Sequence, residues 1–423
     1  MEQQRSHPLL FRSITHKFFT GIIRQIVKEI LNVRILIYFF PIAINILIGG
    51  MFFISAYRFK LAEAPGWIIG ATMAAWALVY SVFSLLLSRR LTRKNAPVIL
   101  NIGCFILTAS SAGFLFFDGL YTQFVWILTS GLANACYCAP FQLLMKSVEP
   151  DQASAGSARA AGMYTFAWST GVATGPLLFG WLAPATVFKI NVLLSILLWA
   201  GAFLLICRIR RKEKNASSRS RIDETAMENT ALSEPSLARL GWIAGGVGIF
   251  TACIIRLIWP CRGVELELSQ VHIGSSLALV SYIQAVMGLI LAHSRNWMRK
   301  ALPQLIYGIL GVAGLCLFAF APGEAWYFYL AALLYGLYSS NFYFLLVYFS
   351  IEDTAHAAEN VGVNEFIVGI TSIIAPMIGG VLAVPGHSAR AFYPGIAAVA
   401  LITIFVVISL RRIAAAAGKK QAE

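Results

Sequence analysis

The sequence predicts an all-α integral membrane protein: twelve transmembrane helices in two six-helix bundles related by a pseudo-two-fold axis. Three observations predict it. The chain is 58% hydrophobic and only 12% charged, whereas a soluble domain carries about 25% charged residues. Its apolar residues fall in stretches of about 20 with few or no charges, the length that crosses a bilayer as a helix. The second half of the chain also echoes the first.

In chain order, residues 1–34 form a basic, amphipathic segment ("LFRSITHKFFTGIIRQIVKEIL"). It lacks the short apolar core and small-residue cleavage site of a signal peptide. It is expected to lie as a helix on the inner membrane face, with a partner-binding arm as the alternative. The apolar stretches follow at 35–57, 66–88, 96–117, 121–146, 156–181 and 184–207. The polar segment 208–239 is rich in charge, Ser and Ala and poor in aromatics, and reads as a flexible cytoplasmic linker. Six more stretches occupy 240–260, 272–292, 301–321, 325–351, 359–384 and 391–410. The expected organisation is an N-terminal bundle over 35–207, a C-terminal bundle over 240–411 and a cytoplasmic tail over 412–423.

The net charge of +14 would raise nucleic acid as a partner in a soluble protein. Its placement argues for topology instead. With the N-terminus inside, cytoplasmic segments hold 27 Lys and Arg, and external loops hold 5: Arg58, Lys60, Lys189, Arg262 and Arg390. That bias is the positive-inside rule, and it places both termini in the cytoplasm of a cell (inner) membrane protein. The basic residues serve topology and lipid headgroups, and no nucleic-acid partner is expected. Six of the seven cysteines lie within or at the end of the predicted helices, with no paired metal spacing, and read as apolar fillers.

The echoes sit at offsets of 200 to 206 residues. Ala158, Gly162, Phe166, Pro176 and Gly180 match Ala358, Gly362, Phe366, Pro376 and Gly380. Arg89, Arg93, Lys94 and Pro97 match Arg295, Arg299, Lys300 and Pro303, and Gly131-Leu132 matches Gly336-Leu337. Three echoes in one order indicate a duplicated six-helix unit. Parallel repeats of this kind place a substrate site at the membrane midplane between the halves.

The fifth stretch carries Gly162, Gly171, Gly175, Pro176 and Gly180 in the spacing of the helix 5 motif of the major facilitator superfamily, with Phe179 as the one departure. Over 35–412 the chain resembles that family, subfamily unknown, and the motif is associated there with antiporters. The loop after helix 2 keeps Arg90, Arg93 and Lys94 of the family pattern, but Arg89 replaces its acidic residue and Thr92 its glycine. Ile127 stands where antiporters often have an arginine. With Arg299, Lys300, Pro376 and Gly380 in the second half, these residues make up the expected structural and gating motif.

Ionisable groups inside a bilayer are costly and face a cavity or a partner. Two lie well inside a predicted helix, Arg256 and Glu365. At 1.5 Å per residue Arg256 is roughly 24 Å deep and Glu365 about 9 Å, so no direct salt bridge is expected. For Arg256 two readings stand: the outer half of a cavity, or an external interface anchor reached by snorkelling. Glu365 is the candidate proton-coupling or substrate carboxylate, with a bond near the cytoplasmic gate as the bland reading. Asn45, Asn134, Tyr137, Thr165, Trp168, Tyr282, Gln284, Tyr335, Tyr338, Ser339 and Asn341 extend the candidate cavity. Each alone could merely bond a neighbouring helix; together they suit a neutral or amphipathic organic solute. On a helical wheel Thr165, Ser169, Val172 and Pro176 share one face, and Gly171 and Gly175 turn toward another.

The sequence therefore leads to a secondary active transporter of a small organic solute working by alternating access, with proton antiport or symport if Glu365 titrates. A uniporter, or a non-transporting membrane sensor or scaffold on the same fold, is the alternative. No phosphate-binding Gly-rich loop is present, so ATP is not the direct energy source. The six histidines lie in loops or at helix ends, away from carboxylates at catalytic or metal spacing, so no enzyme, metal or cofactor is expected. A monomer in the lipid bilayer is expected.

Overall fold

The computed structural model describes residues 33–88, 90–92, 95–117, 119–146, 155–216, 235–293, 297–352 and 357–422. Nearly all of the basic N-terminal segment, Arg93 and Lys94, and residues 217–234 of the linker lie outside the described residues. Twelve α-helices account for the rest: α1 Val33–Leu61, α2 Gly66–Ser88, α3 Ala96–Phe116, α4 Thr122–Lys146, α5 Ala155–Trp181 and α6 Pro184–Ala216 in the first half. The second half has α7 Pro235–Glu265, α8 Gln270–Leu291, α9 Ala301–Phe320, α10 Ala325–Glu352, α11 Ala357–Leu382 and α12 Tyr393–Ala422, the last preceded by a 3-10 turn at Ser388–Phe392. No strand occurs among the described residues.

Helix ends reach past the apolar stretches where the local residues favour helix. α6 continues through "RIRRKEKNA", and α12 through "RRIAAAAGKKQA" into the expected tail. Lys, Arg, Glu and Ala are strong helix formers that need no apolar environment. α7 begins on Pro235, whose fixed φ and missing N–H suit a first helical position. α5 runs unbroken through Pro176. Proline there frees the carbonyl of Val172, and Gly49 of α1 packs on it: a Cβ at Gly49 would stand 3.2 Å from that oxygen.

Among the described residues, ten helices are long and apolar enough to cross a membrane. α4 and α5 carry polar residues turned inward, including Asn134, Thr165 and Ser169, all buried. The rim helices show the opposite. Within its spanning window α6 is 28% buried and α9 33%, against 72% for both α1 and α7. Leu193, Leu197 and Phe203 of α6 and Leu302, Ile306 and Ile309 of α9 are exposed, as a lipid-facing surface requires.

The packing repeats itself. α1 packs on α5 and α6, as α7 packs on α11 and α12. α4 packs on α2 and α3, as α10 packs on α8 and α9. α3 packs on α6, as α9 packs on α12. The halves join mainly through α5 on α8 and α2 on α11, two seams exchanged by the same shift of six helices, with α1 against α7 between them. This is a pair of six-helix bundles about a pseudo-two-fold axis. One face of the molecule carries the start of α1 and the end of α12; the loops α1–α2, α5–α6, α7–α8 and α11–α12 lie on the opposite face.

Candidate functional site

Glycines set the closeness of the helices, and the wheel of α5 divides as its sequence implies. Gly171 and Gly175 face α1 within the first half: a Cβ on Gly171 would strike the Ile42 carbonyl, and one on Gly175 would stand 2.5 Å from the Ile46 carbonyl. The Thr165–Pro176 face turns to α8 in the other half. There a Cβ on Gly274 would lie 2.6 Å from the Pro176 carbonyl and 2.9 Å from Gly180 Cα. Gly162 closes the termini end of this seam against Gly288 and Ala292. Polar bonds tie it as well: Thr174 Oγ1 to Tyr282 Oη at 3.0 Å, and Trp181 Nε1 donating to Ser275 Oγ at 2.9 Å. The second seam is its copy. Gly70 of α2 receives the Pro376 carbonyl as Gly274 of α8 receives that of Pro176, and Gly380 meets Gly66 and Gly70.

Among the differences between the copies, one places a carboxylate where the other has a hydroxyl, Glu365 for Thr165. Thr165 packs its methyl group on Gly288 in the α5–α8 seam. Its counterpart Glu365 bonds the hydroxyl of Tyr80 across the α2–α11 seam, the Tyr80 O–H donating to Oε2. Tyr80, itself buried, stacks on Trp76 with centroids 5.4 Å apart. Cys138 of α4 interacts with Tyr80, Asn134 and Glu365. Tyr137 and Tyr164 complete the group, bridged by Phe141 with centroid distances of 5.2 and 6.1 Å. The Tyr137 hydroxyl is buried with no hydrogen-bond partner. Glu365 thus sits in a four-helix polar cluster of α2, α4, α5 and α11.

Arg256 of α7 stands in a second cluster. Its guanidinium lies 5.1 Å from the ring centroid of Trp168 in the opposite half. Trp168 in turn packs on Tyr343 of α10, with centroids 5.3 Å apart, and Tyr343 lies within electrostatic reach of the Arg256 guanidinium. Cys253, one helical turn before Arg256, bonds Ser372 of α11 at 3.6 Å. The guanidinium thus contacts aromatic side chains where the two halves meet. As expected from their depths, Arg256 and Glu365 occupy separate clusters.

Other sequence candidates point elsewhere. Tyr338 packs on Gly311 of α9, and Asn341 Nδ2 donates to Gln304 Oε1 of α9 at 2.7 Å. Both contact α9 within their own bundle, and Tyr343 of α10 is the residue that packs on α5. Tyr335 bonds Thr251 of α7 at 2.7 Å. Asn45 caps inward on the Pro41 carbonyl at 2.7 Å and packs beside Gly171. Gln284 Oε1 accepts from Ser339 Oγ at 3.5 Å, leaving Nε2 without a partner. Arg90, Arg299 and Lys300 are exposed on the termini face. Arg90 lends its carbonyl to Asn95 Nδ2 at 2.8 Å, in a turn closed by Thr92 N–H to Asn95 Oδ1 at 2.7 Å.

Sequence reasoning missed Tyr80, Tyr164 and Tyr343, which look like three aromatics among many, and it missed a latch on the opposite face. There Lys60 at the end of α1 pairs with Glu265 at the end of α7, 2.8 Å apart. Glu265 also accepts from the backbone N–H groups of Gly386 and Ser388, both at 3.1 Å, and from Ser388 Oγ at 2.7 Å. Arg262 Nη1 lies 3.8 Å from the same carboxylate. The available signal was the offset: Lys60 and Glu265 are 205 residues apart, the interval of the repeat. Equivalent positions beside a two-fold axis meet each other.

An architecture of two duplicated bundles, with charged groups held where they meet, defines the class of membrane carriers that rock about a central site. The family model of the Major Facilitator Superfamily matches residues 156–376, over half of the chain, and the chain belongs to that family. It is a multi-pass integral membrane protein of a transporter family. Among solved structures, the nucleoside transporter NupG matches at 13% identity with TM-score 0.60, covering 90% of this chain and 99% of its own. The human organic anion transporter MFSD10 (TETRAN) matches at 11% identity with TM-score 0.61, covering 88% of this chain and 99% of its own. At such identities the likeness is one of fold. No curated protein matches the chain in sequence.

Proposed function

We propose that the protein is a secondary active transporter of a small organic solute, working by alternating access and coupled to protons through Glu365. The observation that carries this reading is the Tyr80–Glu365 bond across the α2–α11 seam. A carboxylate inside a membrane is tolerated when it is paired or protonated. Here its partner belongs to the other half, so gain or loss of a proton alters a contact that must be remade as the halves move. The basic bias of the segments on one face supports cytoplasmic termini in a cell membrane. The bundle limits of 35–207 and 240–411 are proposed as the moving bodies.

The test uses purified protein in proteoliposomes that hold a pH-sensitive dye, screened with a metabolite library for solute-induced proton movement. Glu365→Gln is expected to abolish the pH dependence of net uptake while solute exchange between equal concentrations persists. Unchanged pH-dependent uptake in that variant removes Glu365 as the coupling group. Solute flux without proton movement in the native protein makes it a uniporter.

A further inference from the structure

The second cluster carries chemistry that a neutral solute does not use. Arg256 carries a guanidinium cation, held between the halves in the middle of a membrane protein. Its partners are the Trp168 face at 5.1 Å and the Tyr343 side chain. Neither carries a negative charge. Among the described residues the ion pairs are Lys60–Glu265 and Arg262–Glu265, on the opposite face, and Glu365 belongs to the Tyr80 cluster. Arg256 is half-buried; a cation–π contact offsets part of the desolvation of a guanidinium, but a charge drawn out of water is normally balanced by an opposite one.

Each of the three residues comes from a different helix: Trp168 from α5, Arg256 from α7 and Tyr343 from α10. The first belongs to one half and the other two to its counterpart, so a ligand held here touches both moving bodies. Guanidinium presents a planar fork of donors matched to a carboxylate. The two rings, 5.3 Å apart, offer an apolar surface to a flat organic group beside it.

We propose that Arg256 is the counter-charge for an anionic substrate: a small organic carboxylate with an aromatic or flat apolar body, bound against Trp168 and Tyr343. This rests on the transporter reading above and names its substrate class. The carboxylate replaces the missing negative partner, and its binding draws α5 of one half onto α7 and α10 of the other.

The experiment measures thermal shifts and binding constants of the detergent-purified full chain with matched pairs: benzoate and benzamide, 4-hydroxybenzoate and its amide, indole-3-acetate and its amide. One or more carboxylates are expected to raise the melting temperature while the paired amides do not. Arg256→Gln is expected to weaken that carboxylate at least about thirtyfold, and Arg256→Lys to retain part of the affinity. The native protein's discrimination between acid and amide needs no variant, so a poorly folding Arg256→Gln does not spoil the test. Equal shifts by acid and amide, no shift by any carboxylate, or full carboxylate affinity in a folded Arg256→Gln protein overturns the proposal. Uptake of the bound carboxylate into vesicles separates the two readings: binding without flux leaves the anion site standing and removes the transporter. Flux of a neutral solute unaffected by Arg256→Gln removes the anion site and leaves the transporter.

Discussion

At the scale of single residues, the same substitution has different consequences where it meets the two faces of α5, from Gly171 on α5 itself and from Gly274 on α8. Gly171→Ala would press a methyl group into the Ile42 carbonyl within the first half. Overpacking of that kind costs about 1–3 kcal/mol, so the melting temperature is expected to fall with transport per folded molecule little changed. Gly274→Ala would place its methyl 2.6 Å from the Pro176 carbonyl, across the seam between halves. That clash is relieved by parting the halves, so the expected effect is loss of transport and greater labelling of the opposite face by membrane-impermeant thiol reagents, with each bundle still folded. A Gly274→Ala protein that transports normally would show that this seam opens without cost. The glycines themselves were legible in the sequence, because their spacing is a motif. Which neighbour each one meets was not, since periodicity gives a face and not the helix opposite it. Glu365 was legible for a related reason: a lone carboxylate in an apolar run stands out, whereas Tyr80, its partner, does not.

At the scale of elements, the ends of α1 and α7 are joined by a latch that also holds the α11–α12 turn. Lys60 and Glu265 have side chains 17% and 9% exposed, so removing one partner is expected to cost more than the roughly 1 kcal/mol of a surface ion pair, because the other charge is left partly desolvated. Glu265 also accepts three bonds from Gly386 and Ser388, and a lone Lys60 can still reach water. Glu265→Gln is therefore expected to open the opposite face more than Lys60→Met does, read as faster labelling of a cysteine introduced on that face. The reversed pair, Lys60→Glu with Glu265→Lys, should restore the ion pair but not the Ser388 bonds, giving intermediate labelling. Equal labelling of native and Glu265→Gln proteins would show that the latch does not hold this face closed. Element by element, twelve helices were readable from apolar runs alone, α4 and α5 included, although both carry polar residues on their inward faces. The reach of α6 and α12 beyond the apolar runs was not, because it depends on helix propensity in water and not on lipid.

At the scale of the whole molecule, both inter-half seams are packed from one face to the other: α5–α8 from Gly180 to Gly162, α2–α11 from Gly66 to Tyr80. Alternating access requires each face to part in turn, and the proposal makes that separable from ordinary flexibility. Two glycines supply a matched pair of tests. A Cβ on Gly162 would lie 2.8 Å from Ala292 Cβ, across the halves on the termini side, and a Cβ on Gly103 would lie 2.8 Å from Cys136 Cβ, within the first half. Disulfides want about 3.5–4.5 Å between Cβ atoms, so both pairs need the same small outward shift, and any local strain is shared. With the other cysteines replaced, oxidised Gly162→Cys/Ala292→Cys is expected to lose solute exchange and regain it on reduction. Oxidised Gly103→Cys with native Cys136 is expected to keep exchange, because α3 and α4 travel together. Loss in both would mean that motion runs through the bundles themselves; retention in both would mean that the termini face need not open, and the rocking of two rigid halves would have to be abandoned.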